Sequence, residues 1–288
     1  EIRKIILLNS YSLQRIESSA FENCWLLKTN PLVFPEGFEK LEERAFINCS
    51  ELKGSVVLPS TIKEIGALAF YLSKITSINF PEGLEEIGNE AFDFCRLKEV
   101  AISNPNIIWS GESQFGYNFK LEKISLPEEM TYIPPRFLEC CIELKDFRIP
   151  SDVKVIKSGA FNECYNLQKL ELPAGLEEIE DQAFSECNAL EEIVFPASLK
   201  TLGAESCTNW TNIKRIYSMA AEPPVCKVNM NSGATPFYPG TPNDIPVYVP
   251  TGTAEKYRNA KGWDYFTNFI ETDDFPASTI NDINIEQQ

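Results

Sequence analysis

The residues of this chain that are best suited to chemistry are nine cysteines and several pairs of adjacent glutamates. Cysteine thiols form disulfides, bind metal ions and act as nucleophiles, and two nearby carboxylates are the catalytic pair of glycoside hydrolases. The chain contains no histidine. Catalytic triads and dyads with an imidazole base, and metal sites with an imidazole ligand, are therefore excluded.

Six of the cysteines follow a phenylalanine by three residues, and these phenylalanines belong to a repeat. Most copies carry the dipeptide Ala-Phe, and three degenerate copies keep its phase. The copies are separated by steps of 22 to 25 residues and are centred on Phe21, Phe46, Phe70, Phe92, Phe115, Phe137, Phe161, Phe184 and Ser206. A fixed period in this range is typical of solenoid proteins.

The pattern within one repeat indicates its local structure. Alternating apolar residues at Ile193 and Phe195 predict a short strand with one buried face, and Pro196 ends that strand because it has no N–H to donate. The stretch around each phenylalanine is predicted to be a short helical turn that carries the ring inward. One coil cannot bury its apolar residues alone, so the coils must stack.

The position three residues after each phenylalanine holds a small polar side chain in all nine copies. Bends of a solenoid bury backbone carbonyls that need donors, and Cys, Ser and Asn can each donate. We predict a hydrogen-bonding ladder formed by Cys24, Cys49, Ser73, Cys95, Asn118, Cys140, Cys164, Cys187 and Asn209. A disulfide framework and a metal cluster are the alternatives, although the chain has no Cys-x-x-Cys pair.

Charges alternate in sign just before the middle position of the predicted strands. The column consists of Glu99, Lys123, Asp146, Lys169, Glu192 and Arg215. Opposite charges on neighbouring strands attract each other. We therefore expect these residues to lie in register on one exposed face that neutralises itself.

Two columns are predicted to form binding surfaces. The position four residues after each phenylalanine varies freely in type, and its aromatic members could stack on sugars or on a protein; alternatively, each aromatic covers its own turn. These candidates are Trp25, Phe119, Tyr165 and Trp210. The middle strand positions form the second surface, with Ser125, Arg148, Glu171 and Tyr217.

The pattern Ala-Phe-x-x-Cys-x-x-Leu-x-x-Ile-x-Leu-Pro-x-x-Leu-x-x-Ile, over residues 1–216, resembles the BspA-like class of leucine-rich repeats in surface proteins of anaerobic bacteria. The segment from Tyr248 to Glu271 looks like the one that closes many such arrays. The resemblance implies an exported, non-catalytic surface protein used for adhesion or protein binding. The expected fold is a β-dominated α/β leucine-rich-repeat solenoid of about nine coils of ~23 residues, with parallel short strands and a small C-terminal cap.

Composition along the chain predicts three parts. These are the solenoid in residues 1–216, a Pro-rich loop and strand–helix cap in 217–274, and a polar tail or linker in 275–288. Residues 253–258 are predicted to form a short helix with Thr253 as its N-cap. The cap's apolar side is assigned to Trp263, Phe266, Phe269 and Ile270.

Charge and composition exclude several classes of partner and site. A net charge of −16 without a Lys/Arg cluster argues against nucleic acid and anionic membranes as partners, and no apolar run is long enough to span a membrane. The pairs Glu85-Glu86 and Glu177-Glu178 recur in phase with the repeat, so we interpret them as a solvated face rather than a glycosidase site. Asp273-Asp274 is a weak calcium candidate.

We therefore expect a monomeric, non-enzymatic module that has no cofactor or metal and recognises a host or neighbouring-cell protein or glycan. The alternative is a structural envelope or spacer element without a ligand of its own. The chain opens on Glu1-Ile2-Arg3. We expect a processed chain, exported to the bacterial cell surface by a signal peptide that is not part of it.

Overall fold

The computed structural model describes residues 2–7 and 12–276. The chain folds into two compact units: unit 1 comprises residues 1–127 and 134–144, and unit 2 comprises residues 128–133 and 145–288. The predicted division at residue 216 stays a prediction. Most of the predicted tail, residues 277–288, lies outside the described residues.

Unit 1 is a stack of coils with three parallel sheets. Its strands are β1 (Arg15–Ile16), β2 (Leu32–Val33), β3 (Lys40–Leu41), β4 (Lys53–Val57), β5 (Glu64–Ile65), β6 (Lys74–Ile78), β7 (Glu86–Ile87), β8 (Glu99–Ala101), β9 (Ile108–Trp109) and β10 (Lys123–Ser125). The sheet orders are β1-β3-β5-β7-β9, β2-β4-β6 and β8-β10. Each sheet therefore collects one strand from each successive coil.

Unit 2 follows the same plan and adds a helix. Its elements are β11 (Tyr132–Ile133), β12 (Asp146–Arg148), β13 (Val155–Ile156), β14 (Lys169–Glu171), β15 (Glu178–Ile179), β16 (Glu192–Phe195), β17 (Thr201–Leu202), β18 (Arg215–Ser218), β19 (Val225–Cys226), β20 (Pro246–Val249), α1 (Ala254–Asn259), a 3-10 helix (Trp263–Tyr265) and β21 (Asn268–Glu271). The sheet orders are β11-β13-β15-β17-β19, β12-β14 and β16-β18-β20-β21. The predicted β-solenoid is confirmed in each unit.

The phenylalanines of the repeat form the core of both units. In unit 1 the rings of Phe46 and Phe70 stack with centroids 5.4 Å apart, and in unit 2 those of Phe161 and Phe184 stack at 5.2 Å. All four side chains are fully buried. Burial of one such side chain stabilises the fold by roughly 1.5–3 kcal/mol, so the ring column is a main source of stability along each stack.

The strand register confirms the alternating charges. Glu99 lies opposite Lys123, Asp146 opposite Lys169, and Glu192 opposite Arg215. Arg215 also forms an ion pair with Glu192. These residues neutralise one another along the strands of each sheet.

The bend around each phenylalanine is not the helical turn that the sequence predicts. Residues two before and two after the phenylalanine have positive φ; around Phe46 these are Arg44 and Asn48, at 58° and 59°. The N–H groups of all three residues donate to carbonyls of the next coil at 2.8–2.9 Å. Since these N–H groups point along the stack, they cannot form the i→i−4 bonds of a helix.

The two residues with positive φ that flank each bend also show that the predicted phase of two degenerate copies is wrong. They fall at Arg136 and Cys140, and at Glu205 and Asn209. The residues at the phenylalanine position are therefore Leu138 and Cys207, one residue after the predicted Phe137 and Ser206. With this correction, every step from residue 92 to residue 207 is about 23 residues.

The Pro-rich segment forms a further coil of the stack in unit 2. Carbonyls of Thr235, Pro236 and Pro239 accept N–H groups from the preceding bend at 2.8–3.1 Å. Strands β19 and β20 extend two of the three sheets of unit 2, and β21 pairs with β20. These additions explain why the chain has about eleven turns rather than the predicted nine.

Helix α1 begins where predicted, but another residue caps it. Thr253 occupies the N-cap position without a side-chain cap bond, and its hydroxyl donates to Pro250 O at 2.7 Å. The carboxylate of Glu271, in β21, accepts the N–H of Ala254 at 2.9 Å. Among the predicted apolar residues of this segment, Trp263, Phe266 and Phe269 are buried, whereas Ile270 is 37% exposed.

Candidate functional site

The predicted ladder is present as a series of side-chain donors. Each donates to the carbonyl at the phenylalanine position of the preceding coil, over 2.7 to 3.4 Å. The pairs are Cys49 to Phe21, Cys95 to Phe70, Asn118 to Phe92, Cys141 to Phe115, Cys187 to Phe161, Trp210 to Phe184 and Thr241 to Cys207. The bends thus obtain the donors that buried carbonyls require.

Two predicted members of the ladder are wrong. Cys141 rather than Cys140 donates to Phe115, and the indole of Trp210 rather than Asn209 donates to Phe184. The amide of Asn209 donates to Glu186 instead, at 2.6 Å. Both errors are the one-residue phase shift described above.

The other predicted members lie in the same column. Cys24 is half-buried in the first coil, and Cys164 is buried in unit 2. The hydroxyl of Ser73 is fully buried, 3.3 Å from Cys95 Sγ.

All nine cysteines carry thiols rather than disulfides. Burial raises the pKa of Cys49, Cys95 and Cys207 to about 12, so these side chains stay protonated and can donate. Within the described ranges, no group of three or more Cys, Asp or Glu side chains is arranged to hold a metal ion.

Unit 1 has a groove of about 610 Å³ beside the bends, which we call the turn-side groove. It is lined by residues two and four positions after the phenylalanine, chiefly Trp25, Leu72, Lys74, Phe94, Arg96 and Phe119. Two predicted binding residues, Trp25 and Phe119, therefore lie on one surface; Trp25 is 62% exposed and Phe119 42%. A volume of this size is typical of ligand sites.

The groove carries positive charge. Lys74 approaches Glu51 at 3.6 Å, and Lys120, also in the lining, approaches Glu143 at 3.5 Å. The Arg96 side chain is exposed and takes part in no ion pair or side-chain hydrogen bond with the described part of the chain. Among the described residues that line the groove there is no Asp or Glu, so Arg96 is available to an anionic group.

Unit 2 has a larger groove of about 900 Å³ over its strand face. Predicted Glu171 lines it together with Lys169, Glu192 and Arg215. The lining mixes both signs of charge because it includes the self-neutralising column. The strand-face groove therefore has no dominant sign.

The remaining predicted strand residues are not brought into one site. Ser125 is exposed at the end of β10 in unit 1. In unit 2, Arg148 forms an ion pair with Glu128, and the ring of Tyr217 stacks on that of Tyr248 with centroids 4.6 Å apart. Ser125 faces solvent, whereas Arg148 and Tyr217 already contact other residues of unit 2. These side chains therefore do not form a common site.

Two residues of the aromatic column also lie apart from the turn-side groove. Tyr165 in unit 2 is 38% exposed, and its hydroxyl donates to Glu163 at 2.7 Å. Trp210 has no exposed surface because it occupies the ladder position. The prediction that Trp210 contacts a ligand is therefore wrong for this fold.

Five main lining residues of the turn-side groove were not predicted as binding residues from the sequence, namely Leu72, Lys74, Phe94, Arg96 and Lys120. Leu72 and Phe94 occupy left-handed positions, with φ of 58° and 55°, and Lys120 follows Phe119. The left-handed backbone turns the side chains of Leu72 and Phe94 outward. The sequence did contain a signal for this surface. At the position two residues after the phenylalanine, these two copies have apolar residues, whereas other copies have Asn23, Asn48 and Asn209.

A buried carboxyl group was missed as well. Asp93 is 3% exposed and accepts a hydrogen bond from the hydroxyl of Ser113 at 2.8 Å. Burial, reinforced by the nearby carboxylates of Glu90 and Glu139, raises the pKa of Asp93 to about 8. Asp93 is therefore largely uncharged at neutral pH.

The adjacent glutamates face lysines from neighbouring coils. Glu85 pairs with Lys63 at 2.8 Å, and Glu178 pairs with Lys227 at 2.8 Å. Glu177 pairs with Lys200 at 2.5 Å. Their recurrence in the sequence reflects exposed ion pairs along the stack, as the solvated-face interpretation predicts. Asp273, the calcium candidate, accepts the N–H of Thr251 at 3.2 Å.

Comparison with known proteins identifies the repeat. The family model described as a BspA type leucine rich repeat region matches residues 1–114, 50–166 and 110–221, with six copies. No curated protein matches the chain. No helix in the described ranges has the length and apolar character needed to cross a membrane.

Several solved structures are similar. A leucine-rich repeat protein from Bacteroides ovatus aligns over 96% of this chain and 81% of its own, with 22% identity and a TM-score of 0.64. The pneumococcal vaccine antigen PcpA aligns over 91% of this chain and 78% of its own, with 20% identity and a TM-score of 0.51. A leucine rich cell surface protein from Faecalibacterium prausnitzii aligns over 92% and 71%, with 17% identity and a TM-score of 0.48. At these identities, the first two show a shared fold.

Proposed function

Because the chain belongs to the family of BspA-type leucine-rich repeat proteins, we propose that it is a non-catalytic, adhesin-like binding module of a bacterial cell surface. Its ligand is a protein or glycan of a host or of a neighbouring cell. Proteins of this family and fold are generally non-catalytic. We propose that the chain acts as an exported monomer without a cofactor, and a vaccine antigen of similar fold supports the surface location.

The turn-side groove is the observation that carries this proposal. Exposed Trp25, Leu72 and Phe119 line it together, so three of the exposed large apolar side chains of the chain share one surface. Contiguous apolar surface with a cationic edge is typical of interaction sites. A structural spacer without a ligand would have no use for this surface.

The proposal is tested by screening the fluorescently labelled chain on an array of extracellular-matrix proteins and host glycans. We expect saturable binding to at least one component. Complete absence of binding at micromolar concentration would favour the alternative, a structural envelope or spacer element. The array thus separates the two functions directly.

Substitutions assign the binding surface. We expect Trp25→Ala and Phe119→Ala to weaken the array signal and Tyr165→Ala or Tyr217→Ala to leave it unchanged. Ile108→Ala is the matched control in unit 1, because Ile108 is 61% exposed and lies outside the groove. Trp210→Ala is unsuitable, because it removes a buried hydrogen-bond donor. Loss of binding in Tyr165→Ala or Tyr217→Ala alone would place the ligand on unit 2.

A further inference from the structure

The centre of the turn-side groove is lined by apolar side chains at left-handed positions of the backbone. The position two after the phenylalanine requires a left-handed backbone, which Asn adopts at low cost, and Asn48 holds it in the neighbouring coil. Leu72 and Phe94 hold it at the groove, although a large side chain is strained there. Leu72 is also 41% exposed. The exposure of Leu72 beside the half-buried ring of Phe94 points to a role in binding.

The charge of the groove opposes the charge of the chain. The chain carries −16, yet the titratable side chains of the lining, apart from the buried thiol of Cys95, are the cations Lys74, Arg96 and Lys120. Arg96 lies between Lys74 and Lys120 in coil order, and its guanidinium has no carboxylate partner within the described residues. Lys74 and Lys120 already face Glu51 and Glu143, so the guanidinium of Arg96 is the charged donor that remains for a ligand. This donor suits carboxylates better than the hydroxyl groups of a neutral sugar, which also need acceptors.

The dimensions and composition of the groove suit an extended polypeptide. Trp25 and Phe119 are four coils apart, which corresponds to about 19 Å at the strand spacing and to about six residues of extended chain. Trp, Phe and Arg are the residue types enriched at protein–protein interfaces and their energetic centres. A segment that alternates acidic and apolar side chains would place its carboxylates on the cations and its apolar groups on Leu72, Phe94 and Phe119.

We propose that the turn-side groove binds an acidic segment of a partner protein that also carries apolar side chains. This inference rests on the proposed binding function and names the class of its ligand. Electrostatic attraction to Arg96 and its neighbours makes the affinity dependent on salt. Burial of the apolar groups supplies the remaining affinity.

Trp25 provides a local reporter. The chain has four tryptophans; Trp25 is 62% exposed, whereas Trp109, Trp210 and Trp263 are at most 8% exposed. Quenching of tryptophan fluorescence by acrylamide therefore reports mainly on the groove. A ligand seated there shields Trp25, and a ligand bound elsewhere does not.

The probes are eight-residue peptides with blocked ends. The first alternates Glu with Leu and Phe, the second has Lys in place of Glu, and the third has Ser in place of Leu and Phe. Hyaluronan serves as a carboxylated polysaccharide. We expect the first peptide alone to bind, to shield Trp25, and to lose roughly tenfold in affinity from low to high salt.

Variants test the contacts. Arg96→Glu and Phe119→Ser should each weaken binding of the first peptide about tenfold or more, while Lys261→Glu, an exposed charge reversal in unit 2, should change it less than about twofold. Unchanged circular dichroism and melting temperature serve as the folding control. The inference is overturned if Arg96→Glu binds like the parent chain, if the Ser or Lys peptide binds equally well, or if only hyaluronan shields Trp25.

Failure of this inference is distinguishable from failure of the proposed function. If the parent chain and Arg96→Glu bind the same array component equally, the module has a ligand that does not use this groove, and only the inference fails. If the parent chain binds neither an array component nor the first peptide, both fail.

Discussion

At the scale of single residues, Asp93 shows how burial sets a charge state. Its pKa is raised to about 8, mainly by burial, whereas an unfolded aspartate titrates near 3.9. The folded protein therefore retains a proton that the unfolded chain loses between these two pH values. Stability consequently falls as pH rises through that window, by about 1 kcal/mol per pH unit.

Asp93→Asn should remove this dependence. We expect the free energy of unfolding of the variant, relative to the parent chain, to rise by about 1 kcal/mol per unit from pH 5 to pH 7, since the introduced amide stays neutral and can still accept from Ser113. Urea unfolding at several pH values measures the effect. Asp146→Asn, at an exposed position of β12, is the control and should give a curve parallel to that of the parent chain. A parallel curve for Asp93→Asn would contradict the raised pKa.

The cysteines make a second residue-scale prediction. Buried thiols with raised pKa values react slowly with an aromatic disulfide reagent because the thiolate is the nucleophile. Since only Cys24 is not buried, we expect about one reactive thiol in the native chain and nine after unfolding without reductant. Cys24→Ser should abolish the native reaction. Fewer than nine thiols in the unfolded chain would reveal disulfides and refute the ladder of thiol donors.

At the scale of the element, each bend depends on residues with a left-handed backbone, and the sequence gives little indication of which residues these are. Arg44, with φ of 58°, is partly exposed and donates its N–H to Ala67 O at 2.8 Å. A β-branched residue is strained in this conformation by roughly 1–2 kcal/mol, whereas glycine is not. Gly159 holds the equivalent position of a later coil at 65°.

Arg44→Gly should therefore be at least as stable as the parent chain, and Arg44→Val less stable by about 1–2 kcal/mol. Urea midpoints of the three proteins measure the difference. The same pair of substitutions at Thr211, which lacks the left-handed backbone, should not show this preference for glycine. Equal stability of the Gly and Val variants at position 44 would mean that the bend does not impose the strain.

The sequence predicted the parts of the fold that depend on burial. Phe184, Ile193 and Phe195 repeat because each faces the core, so their spacing revealed coils, strands and family. The backbone of the bend was not predictable in this way, because a positive φ was adopted by side chains as different as Glu90, Leu68 and Asn23.

The phase of the two irregular copies was missed for a related reason. Phe137 and Ser206 looked like the repeat's landmark, but the hydrogen bonds between coils place Leu138 and Cys207 there. The candidate site was affected in turn, because Trp210 occupies the ladder and is buried, whereas Trp25 and Phe119 are exposed. Lys120 and Leu72 were missed because only stacking of the coils brings them beside Trp25.

At the scale of the whole molecule, stability is distributed coil by coil. Each coil of a solenoid contacts chiefly its two neighbours. Its contribution to stability therefore depends on whether its backbone and side chains align with those of the neighbouring coils, and not on its place in the chain. In unit 2 the constant step of about 23 residues means that any coil offers the next one the same set of carbonyls and strand edges. The stability of unit 2 should therefore depend more on the alignment of successive coils than on which coil occupies a given place.

Removal of residues 162–184 tests this idea, because the deletion excises one full period. Phe161 would take the place of Phe184, so that its carbonyl would receive the indole N–H of Trp210 and β13 would pair with β17. We expect a folded protein with a cooperative but lower urea midpoint and with Trp210 still shielded from acrylamide. Removal of residues 162–172 leaves half a period, points apolar side chains outward, and should abolish the cooperative transition. If the two deletions were equally damaging, the coils of unit 2 would not be interchangeable layers, and its stability would depend on contacts that the repeat does not describe.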